Sequence, residues 1–384
     1  MDFMWFPNQM RVRRLRFICQ PFQIHRRIRK CWSMDTIQAA LRRTRKEEVR
    51  MHEEHRMHEE QTFLWPIVAV LMVVILFCSV MLVRGTGEKR RQISVIVSDS
   101  SAERWVPLKA GLTQAAKDND IDLSYVYTDY LDDVYKQTAL INQEIADGAD
   151  GIITDFCLSR GTAELVRNII SRVPVEFIIN NVDADADISG NYATVMTNNY
   201  EVGRAIGNEL VIDYGDQLQE VRIGIVAGNQ QQYAMQDRLR GFLDAVKAEA
   251  PDIVWTVEES RFLEQDIRRS MERTAADVII GLDNTSLEAA VDYLAEVDTE
   301  HTPERMLYGA GCSEKLAYYI DNGTIASMIL PNEFSIGYQS LTDLSAKLEN
   351  RMLTLEDREQ GFNVVHQENL FRDENQRILF PIVQ

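Results

Sequence analysis

The fold of this chain is decided by ISVIVSDSSAERWVPLKAGL at residues 93–112. The stretch begins with a β-rich run, passes through a polar turn, and continues with helical spacing from about Pro107 to Asp118. A second β-rich run, LSYVY, follows at residues 123–127. This order predicts a strand, a helix and a second strand, which is the βαβ pattern of a parallel sheet.

The same alternation continues along the chain. GIIT at residues 151–154 and EFIIN at 176–180 predict two more strands, and helices are predicted at about 135–146 and 162–170. Four strands with helices between them imply a parallel sheet that is covered on both faces.

After the polar stretch DADADISGNY at residues 183–192, the alternation restarts. Its strand runs are ATVMT, RIGIV, DIVWTV, VIIGLD, MLYGAG and IASMIL. We therefore predict an α/β fold class with two doubly wound parallel-sheet lobes joined by a hinge. Lobe 1 is predicted over about 92–182 plus 331–360, and lobe 2 over about 192–330 plus 361–384. A ligand is expected where the carboxyl ends of the strands face each other.

A single membrane segment is predicted before this module. The 21 residues from Phe63 to Val83 carry no charge, which is enough for a helix that spans a hydrocarbon core of roughly 30 Å. A buried core helix is the alternative, but such a helix rarely lacks a polar face over six turns. No small-x-small cleavage site follows Val83, so the segment is predicted to remain as an anchor.

Charge is distributed unevenly around this segment. Residues 1–62 hold 14 Lys and Arg against 8 Asp and Glu, whereas residues 92–384 hold 23 against 50. The basic surplus predicts a cytoplasmic segment over 1–62, translated from Met1 or Met34, and an extracytoplasmic module at a cell membrane. The acidic module makes nucleic acid an improbable partner.

Cysteines and catalytic motifs give little support to other classes of protein. The module holds only Cys157 and Cys312, which form neither a disulfide framework nor a metal motif. The sequence does not exclude a disulfide bond between them in an oxidising compartment. The sequence contains no G-x-S-x-G, P-loop or HExxH motif, and the module's His residues are His301 and His366. We predict no cofactor, no metal and no enzymatic activity.

Six further motifs follow ISVIVSDSSAERWVPLKAGL in order and at consistent spacing: DGADGIITDF, PVEFIINN, TNNYEVGRAIGNEL, QDRLRGFLDAV, DVIIGLDNTSLEAA and NGTIASMILPNEFSIGY. Together they resemble the type I periplasmic binding proteins of the ribose and galactose class, over residues 92 to about 350. That family shares its fold with the ligand core of the lac repressor. The resemblance implies a module that binds a solute between its lobes.

Candidate ligand-binding residues come from strand ends and from the resemblance. Flat aromatic faces and planar polar groups suit sugar rings and their hydroxyls. The resemblance implies that Trp105 lies beside the sugar. The full candidate set is Trp105, Asp155, Phe156, Asn180, Asn181, Tyr233, Gln236, Asp283 and Asn284. Each also has a structural alternative as a helix cap, a turn residue or a core residue.

Three positions depart from the family pattern. Gln236 stands where the family has a ligand-binding Arg, Gly311 where it has a ligand-binding Asp, and Pro331 where it has a hinge Gln. These departures leave three hypotheses open. The first is a membrane-anchored binding protein for a small polar, sugar-like solute, which serves sensing or uptake with a sensor kinase or an ABC transporter. The second is a protein-interaction scaffold with a degenerate pocket, and the third is a lac-repressor-type regulator if the membrane segment is misread.

Overall fold

The computed structural model describes residues 69–79, 90–183, 190–297 and 307–381. The chain divides into two units, Met1–Gly87 and Glu88–Gln384. In the first unit, helix α1 covers residues 69–79 and its side chains are exposed. Within these described ranges, no helix combines the length and the apolar character that crossing a membrane requires. The predicted cytoplasmic segment and both ends of the predicted anchor, residues 63–68 and 80–83, lie outside the described residues.

Lobe 1 is built on a six-stranded parallel sheet. Its strands are β1 (Gln92–Ile96), β2 (Asp122–Tyr125), β3 (Gly151–Thr154), β4 (Val175–Ile178), β5 (Tyr192–Thr197) and β11 (Arg358–Gln360). They lie in the order β11-β5-β4-β3-β1-β2. Strand β1 lies between its two parallel neighbours, with Ile93 opposite Leu123 of β2 and Gly151 of β3.

Lobe 2 repeats this architecture with a second six-stranded sheet. Its strands are β6 (Arg222–Val226), β7 (Asp252–Val257), β8 (Val278–Gly281), β9 (Leu307–Ala310), β10 (Ile325–Pro331) and β12 (Phe362–Val365). They lie in the order β12-β10-β9-β8-β6-β7, and only the β10–β12 pair is antiparallel. The predicted fold of two parallel-sheet α/β lobes is confirmed.

Helices cover both faces of each sheet. Lobe 1 carries α2 (Val106–Asp118), α3 (Val134–Asp147), α4 (Ala163–Ile170) and α10 (Glu333–Glu349). Lobe 2 carries α5 (Asn199–Tyr214), α6 (Tyr233–Val246), α7 (Leu263–Arg273), α8 (Asn284–Val297), α9 (Glu314–Asp321) and α11 (Asp373–Leu379). Local sequence sets the ends of these helices. In α3, for example, the carboxylate of Asp133 caps the first turn, and Gly148 ends the helix at a φ of 106°.

The chain crosses between the lobes three times. The first crossing leads from β5 to α5, the second from β10 to α10, and the third passes through Gly361 between β11 and β12. Asn198 and Asn332 follow the strands at the first two crossings and cap the helices that begin in the opposite lobe. The predicted start of lobe 2 at residue 192 was wrong by one strand, because β5 pairs with β4 of lobe 1.

The cores lie on both faces of each sheet because successive strand residues point to opposite sides. In lobe 1, Ile93 and Val95 pack on one face and Ile96 on the other. In lobe 2, Val278 and Ile280 pack on one face and Ile279 on the other. This two-sided burial explains the nearly continuous apolar runs in the sequence.

Cys157 and Cys312 are both free and buried, so the bridge that the sequence left open does not form. Burial raises the pKa of the Cys157 thiol to about 12. Both residues therefore act as small core side chains rather than as reactive thiols.

Close helix packing in lobe 2 depends on two glycines. A Cβ atom placed on Gly203 of α5 would lie 1.9 Å from the carbonyl oxygen of Arg238 in α6. A Cβ on Gly241 of α6 would lie 2.0 Å from the carbonyl oxygen of Tyr200 in α5. The two helices can approach this closely only because neither position carries a side chain.

One carboxyl group is buried in the core of lobe 1 without a partner. Glu176 lies in β4 with 0% of its surface exposed, and neither of its side-chain oxygens has a hydrogen bond. Burial, assisted by Asp343 and Asp357, raises its pKa well above the ordinary value. The carboxyl is therefore held in its neutral form at the cost of stability.

Replacing Glu176 with Met is expected to raise the free energy of unfolding by about 1–3 kcal/mol at neutral pH. Because the folded-state pKa is raised, the penalty is absent below the ordinary pKa of Glu and grows as the pH rises above it. Urea denaturation at acidic and neutral pH measures this difference. The control is Glu164→Met, which replaces an exposed carboxyl group on α4. An equal or lower stability of Glu176→Met at neutral pH would show that the carboxyl carries no such penalty.

Candidate functional site

A cavity of about 320 Å³ lies between the lobes, where the carboxyl ends of the strands meet. Ser98 and Asp155 follow β1 and β3 of lobe 1, and Asp283 and Gly311 follow β8 and β9 of lobe 2. This is the position at which open α/β sheets bind ligands, and the volume suits a small molecule.

Charged side chains dominate the walls. Lobe 1 contributes Arg104, Asp155 and Glu333, and lobe 2 contributes Arg238, Glu259 and Asp283. These six groups come from both lobes, so they converge only when the lobes are closed. Polar groups of both signs can donate and accept hydrogen bonds with one ligand.

Arg104 lies in a 3-10 turn over Glu103–Trp105, just after β1. Its guanidinium carbon stacks 4.1 Å from the ring centroid of Trp105, and its buried Nε has no hydrogen-bond partner. Burial opposes the charge, but Glu333, Asp283, Asp155 and Glu259 together raise the pKa of Arg104 above its ordinary value. The guanidinium is therefore a charged donor that faces the cavity.

Trp105 supports this arginine rather than lining the cavity. Its ring is 0% exposed within the core of lobe 1, and its Nε1 donates a hydrogen bond of 3.0 Å to the carbonyl of Ser98. The structure therefore does not place Trp105 beside the ligand, as the sequence had predicted, because its ring lies in the core. The aromatic residue of the cavity wall is Tyr130.

Arg238 is the third residue of the QDRLRGF segment and lies in helix α6. Its Nε donates to Oδ1 of Asn199 at 2.7 Å, and its Nη1 donates to the carbonyl of Leu282 at 2.9 Å. Burial lowers the pKa of Arg238 to about 10, against the opposing effect of Asp283 and Glu333. The arginine therefore ties the first crossing to the end of β8 while it faces the cavity.

Three carboxyl groups in the cavity have raised pKa values. Burial raises the pKa of Asp155 to about 6, although Arg104 and a hydrogen bond from Gln232 oppose the shift. Burial raises the pKa of Glu333 to about 7, although Arg104 and Arg238 act to lower it. Burial, and then Asp283, raises the pKa of Glu259 to about 7. Burial is the first cause of all three shifts, so these carboxyl groups ionise at higher pH than exposed ones do.

The lobes are joined by hydrogen bonds that we name the interlobe clasp, formed by residues 155–159 and Asn180 of lobe 1 and residues 229–234 of lobe 2. Gln232 Nε2 donates to Asp155 Oδ1 at 3.0 Å, and Asn229 Nδ2 donates to the carbonyl of Cys157 at 2.9 Å. Backbone amides also cross the clasp. Those of Ser159, Tyr233 and Ala234 donate to Gln231 O, Ser159 Oγ and Asn180 Oδ1.

Three of the predicted ligand-binding residues line the cavity: Asp155, Asp283 and Asn284. Asp283 also accepts a hydrogen bond of 2.7 Å from the amide of Ser286 and so caps α8. The amide group of Asn284 bonds to Cys312 N and Glu288. Asp155 and Asp283 therefore each use their Oδ1 atom in a hydrogen bond within the protein.

The remaining predicted residues lie elsewhere. Phe156 is 0% exposed and packs edge-on against Phe177, because its side chain points into the core of lobe 1. The side-chain amide of Asn180 donates to the carbonyl of Phe156 and accepts from the amide of Ala234 in the interlobe clasp. The other three do not line this cavity: Asn181, Tyr233 and Gln236.

Their polar groups have partners within the protein. Asn181 accepts from Ser159 Oγ through its carbonyl, and the hydroxyl of Tyr233 donates to Asp183 at 2.8 Å. Gln236 donates to the carbonyl of Gln230 at 2.8 Å. Asn181 and Tyr233 instead line a smaller pocket of about 130 Å³ beside the crossings.

Gly311 and Pro331, the other departures from the family pattern, both line the cavity. A Cβ atom on Gly311 would lie 2.3 Å from Leu316 Cδ1 and 3.0 Å from Asn284 Oδ1. A side chain at this position would therefore have to displace the end of the Leu316 side chain.

The charged groups that the sequence interpretation missed are Arg104, Arg238, Glu259 and Glu333. Each follows a predicted strand within a short loop or in the first turns of the next helix, so the same strand-end argument that identified Asp155 applied to them. Arg238 stands two residues after Gln236, within the quoted QDRLRGF motif. Among the described residues, no group of His, Cys, Asp and Glu side chains is arranged to hold a metal ion.

Comparisons with known proteins agree with this architecture. The family model described as periplasmic binding protein domain matches residues 93–352. The ABC transporter periplasmic-binding protein YphF of Escherichia coli is 23% identical over 188 residues, which is 47% of this chain. The match spans 55% of that relative's length. Both matches are to binding proteins rather than to enzymes.

Solved structures share the fold at low sequence identity. A carbohydrate transporter solute binding protein from Agrobacterium radiobacter, in complex with D-arabinose, superposes with a TM-score of 0.67 at 16% identity. The match covers 76% of this chain and 100% of that one. A myo-inositol binding protein from Caulobacter, bound to myo-inositol, gives a TM-score of 0.63 at 18% identity, with 76% and 99% covered. From its two lobes, its interlobe cavity and the family match over residues 93–352, this chain belongs to the periplasmic binding protein domain family.

Proposed function

We propose that this chain binds a small, hydroxyl-rich, sugar-like solute between its lobes and closes on it. The observation that carries the proposal is the cavity of about 320 Å³, whose charged walls come from both lobes. Arg104 and Glu333 each keep a buried polar atom without a partner there, and a bound ligand would satisfy both atoms. Closure would be favoured because the ligand contacts both lobes only in the closed state.

The relatives support the class of ligand. The Agrobacterium and Caulobacter structures hold D-arabinose and myo-inositol, which are small polyhydroxylated molecules. The volume of the cavity suits a ligand of monosaccharide size. The built cavity also argues against the scaffold with a degenerate pocket, and the acidic charge of the module argues against the repressor-type regulator.

We also propose that residues 63–83 anchor the module outside the cytoplasm at a cell membrane. The support is the uncharged run of 21 residues, together with the exposed apolar side chains of helix α1 over 69–79. The partner would be an ABC transporter or a membrane sensor kinase. The relative YphF, a component of an ABC transporter, favours the transporter.

Thermal unfolding of the full-length chain tests ligand binding against a panel of monosaccharides, sugar alcohols, amino sugars and nucleosides. A ligand at about 100 times its dissociation constant should stabilise by ~2.7 kcal/mol, which shifts the midpoint by several degrees. The shift should disappear in Asp155→Ala and persist in Gln236→Ala, which alters a residue outside the cavity. The absence of a shift across the panel would favour the scaffold instead.

The anchor is tested by fractionation of cells that express the full chain or a chain without residues 63–83. The full chain should be found in the membrane fraction, with its module open to external protease after the outer envelope is removed. Release of both forms into the soluble fraction would contradict anchoring.

A further inference from the structure

The balance of charge in the cavity is unusual for a site that binds a neutral sugar. Five carboxyl groups line the cavity together with the guanidinium groups of Arg104 and Arg238: Asp99, Asp155, Glu259, Asp283 and Glu333. The third arginine of the wall, Arg261, is held at the edge of the cavity by Asp132 at 3.0 Å. With all of these groups ionised, the centre of the closed cavity carries an excess of negative charge.

Glu333 supplies an independent observation that points to a ligand. It stands in the first turn of α10 and is only 6% exposed, yet its buried Oε2 has no hydrogen-bond partner. The fold does not need this carboxylate as a cap, because Asn332 already accepts from the amide of Ser335 at 3.0 Å. A buried carboxylate left without a donor is costly, so its donor is expected to come from the ligand.

Hydroxyl groups alone would leave the excess charge in place. A hydroxyl can donate a hydrogen bond to Glu333, but it brings no positive charge into a buried site that already carries surplus carboxylates. An ammonium group donates three hydrogen bonds and carries the compensating charge. Arg104, whose Nε is unpartnered, remains available for an oxygen acceptor of the same ligand.

We propose that the ligand is a hydroxylated amine, such as an amino sugar or an amino polyol, whose ammonium group binds at Glu333 between the two lobes. This inference rests on the proposed function, because it assumes that the interlobe cavity takes a small polar solute. It narrows the proposed class of ligand from sugar-like solutes in general to those that carry an ammonium group.

The protonation behaviour of the cavity supports the proposal. Burial raises the pKa of Glu333 and of Glu259 to about 7 and that of Asp155 to about 6. The charged groups that act on Glu333 are Arg104 and Arg238, which lower its pKa, and Asp155, which raises it. An ammonium group would lower these pKa values and displace protons near neutral pH. Affinity for the amine should therefore fall as the pH drops and the carboxyls take up protons.

Isothermal titration calorimetry on the full-length chain tests this with matched pairs of probes. Sorbitol is compared with 1-amino-1-deoxysorbitol, and glucose with glucosamine, while N-acetylglucosamine serves as a neutral control of larger size. At neutral pH the amine of at least one pair should bind about tenfold or more tightly than its neutral partner. This preference should shrink at about pH 5.

Glu333→Gln keeps the shape of the side chain and removes its charge, so it should reduce the ratio of amine to neutral affinity toward one. Glu314→Gln is the matched control, because Glu314 occupies the first turn of α9 at an exposed position. Glu259→Gln serves as a second variant if thermal unfolding shows that Glu333→Gln is misfolded. An unchanged ratio in a folded variant at Glu333 would overturn the proposed position of the ammonium group.

The outcomes separate this inference from the function on which it rests. Tight binding of neutral sugars with no preference for amines would overturn the inference and leave the proposed function standing. Binding of neither class would overturn the proposed function, and the inference with it.

Discussion

Replacement of Arg238 by Met is expected to weaken ligand binding by about 100-fold. The side chain is 6% exposed, faces the cavity and joins Asn199 to the carbonyl of Leu282, so its loss disturbs the cavity wall and removes a donor for the oxygen atoms of the ligand. Truncating one partner of a buried, hydrogen-bonded charged contact across a binding interface costs about 2–5 kcal/mol, and every 1.4 kcal/mol corresponds to a factor of ten in affinity.

Arg240→Met is the matched control for this variant. Arg240 stands one half-turn away on α6 at an exposed position, where it pairs with Asp237 at 2.8 Å. Its replacement should change neither affinity nor stability appreciably. Calorimetric titration of both variants with the ligand of the wild-type chain measures the difference. Wild-type affinity in a folded Arg238→Met protein would show that the guanidinium takes no part in the site.

The second large effect is expected from Gly203→Ala. The added Cβ would lie 1.9 Å from the carbonyl oxygen of Arg238, a backbone atom that cannot rotate away. Helices α5 and α6 must therefore separate, which should cost about 3 kcal/mol of unfolding free energy or slightly more. For a module of this size, that loss lowers the midpoint of thermal unfolding by roughly 6–12 °C.

Binding should fall together with stability in Gly203→Ala, because the displaced helix α6 carries Arg238. Gly361→Ala is the control, since a Cβ at Gly361 meets no atom within 4 Å. Thermal unfolding of both variants provides the measurement. A Gly203→Ala protein as stable as the wild type would mean that the helices are not as close as the structure has them.

The sequence was sufficient to predict the architecture because the strands of parallel sheets are buried on both faces. Runs such as GIIT and VIIG are buried at every position, and α3 carries its own start and stop signals in Asp133 and Gly148. The boundary at residue 192 failed because a strand run does not reveal the sheet to which it belongs. Strand β5 joins lobe 1 through pairing with β4, a contact between segments with a polar loop between them.

The candidate site was predicted only in part, since the position of a residue after a strand does not fix the direction of its side chain. Asp155 points into the cavity, whereas its neighbour Phe156 points into the core. Trp105 and Arg104 are likewise adjacent, and the structure buries the aromatic ring while the guanidinium faces the ligand space. Arg238 brings a guanidinium group to the cavity although Gln236 stands at the family's arginine position. The motif alone does not show this, because it depends on where Arg238 lies on helix α6.

The charge balance of the cavity was not accessible from sequence because Glu259 and Glu333 come from separate crossings and loops. Their side chains line one cavity only when the lobes are closed. Asn180 illustrates the same limit, since a strand-end amide that suits a sugar instead holds Ala234 N at 3.2 Å across the clasp.

The central claim is that the chain closes on a solute, and hydrogen exchange across the interlobe clasp tests it most directly. The amides of Ser159, Tyr233 and Ala234 donate across the lobes, so they are protected only in the closed state. In the full-length chain, saturating ligand should slow exchange in peptides that cover 155–160 and 229–235, while the edge strand β2 stays unchanged. If no member of the sugar and amine panel slows exchange at these amides, the chain does not close on a solute of this class.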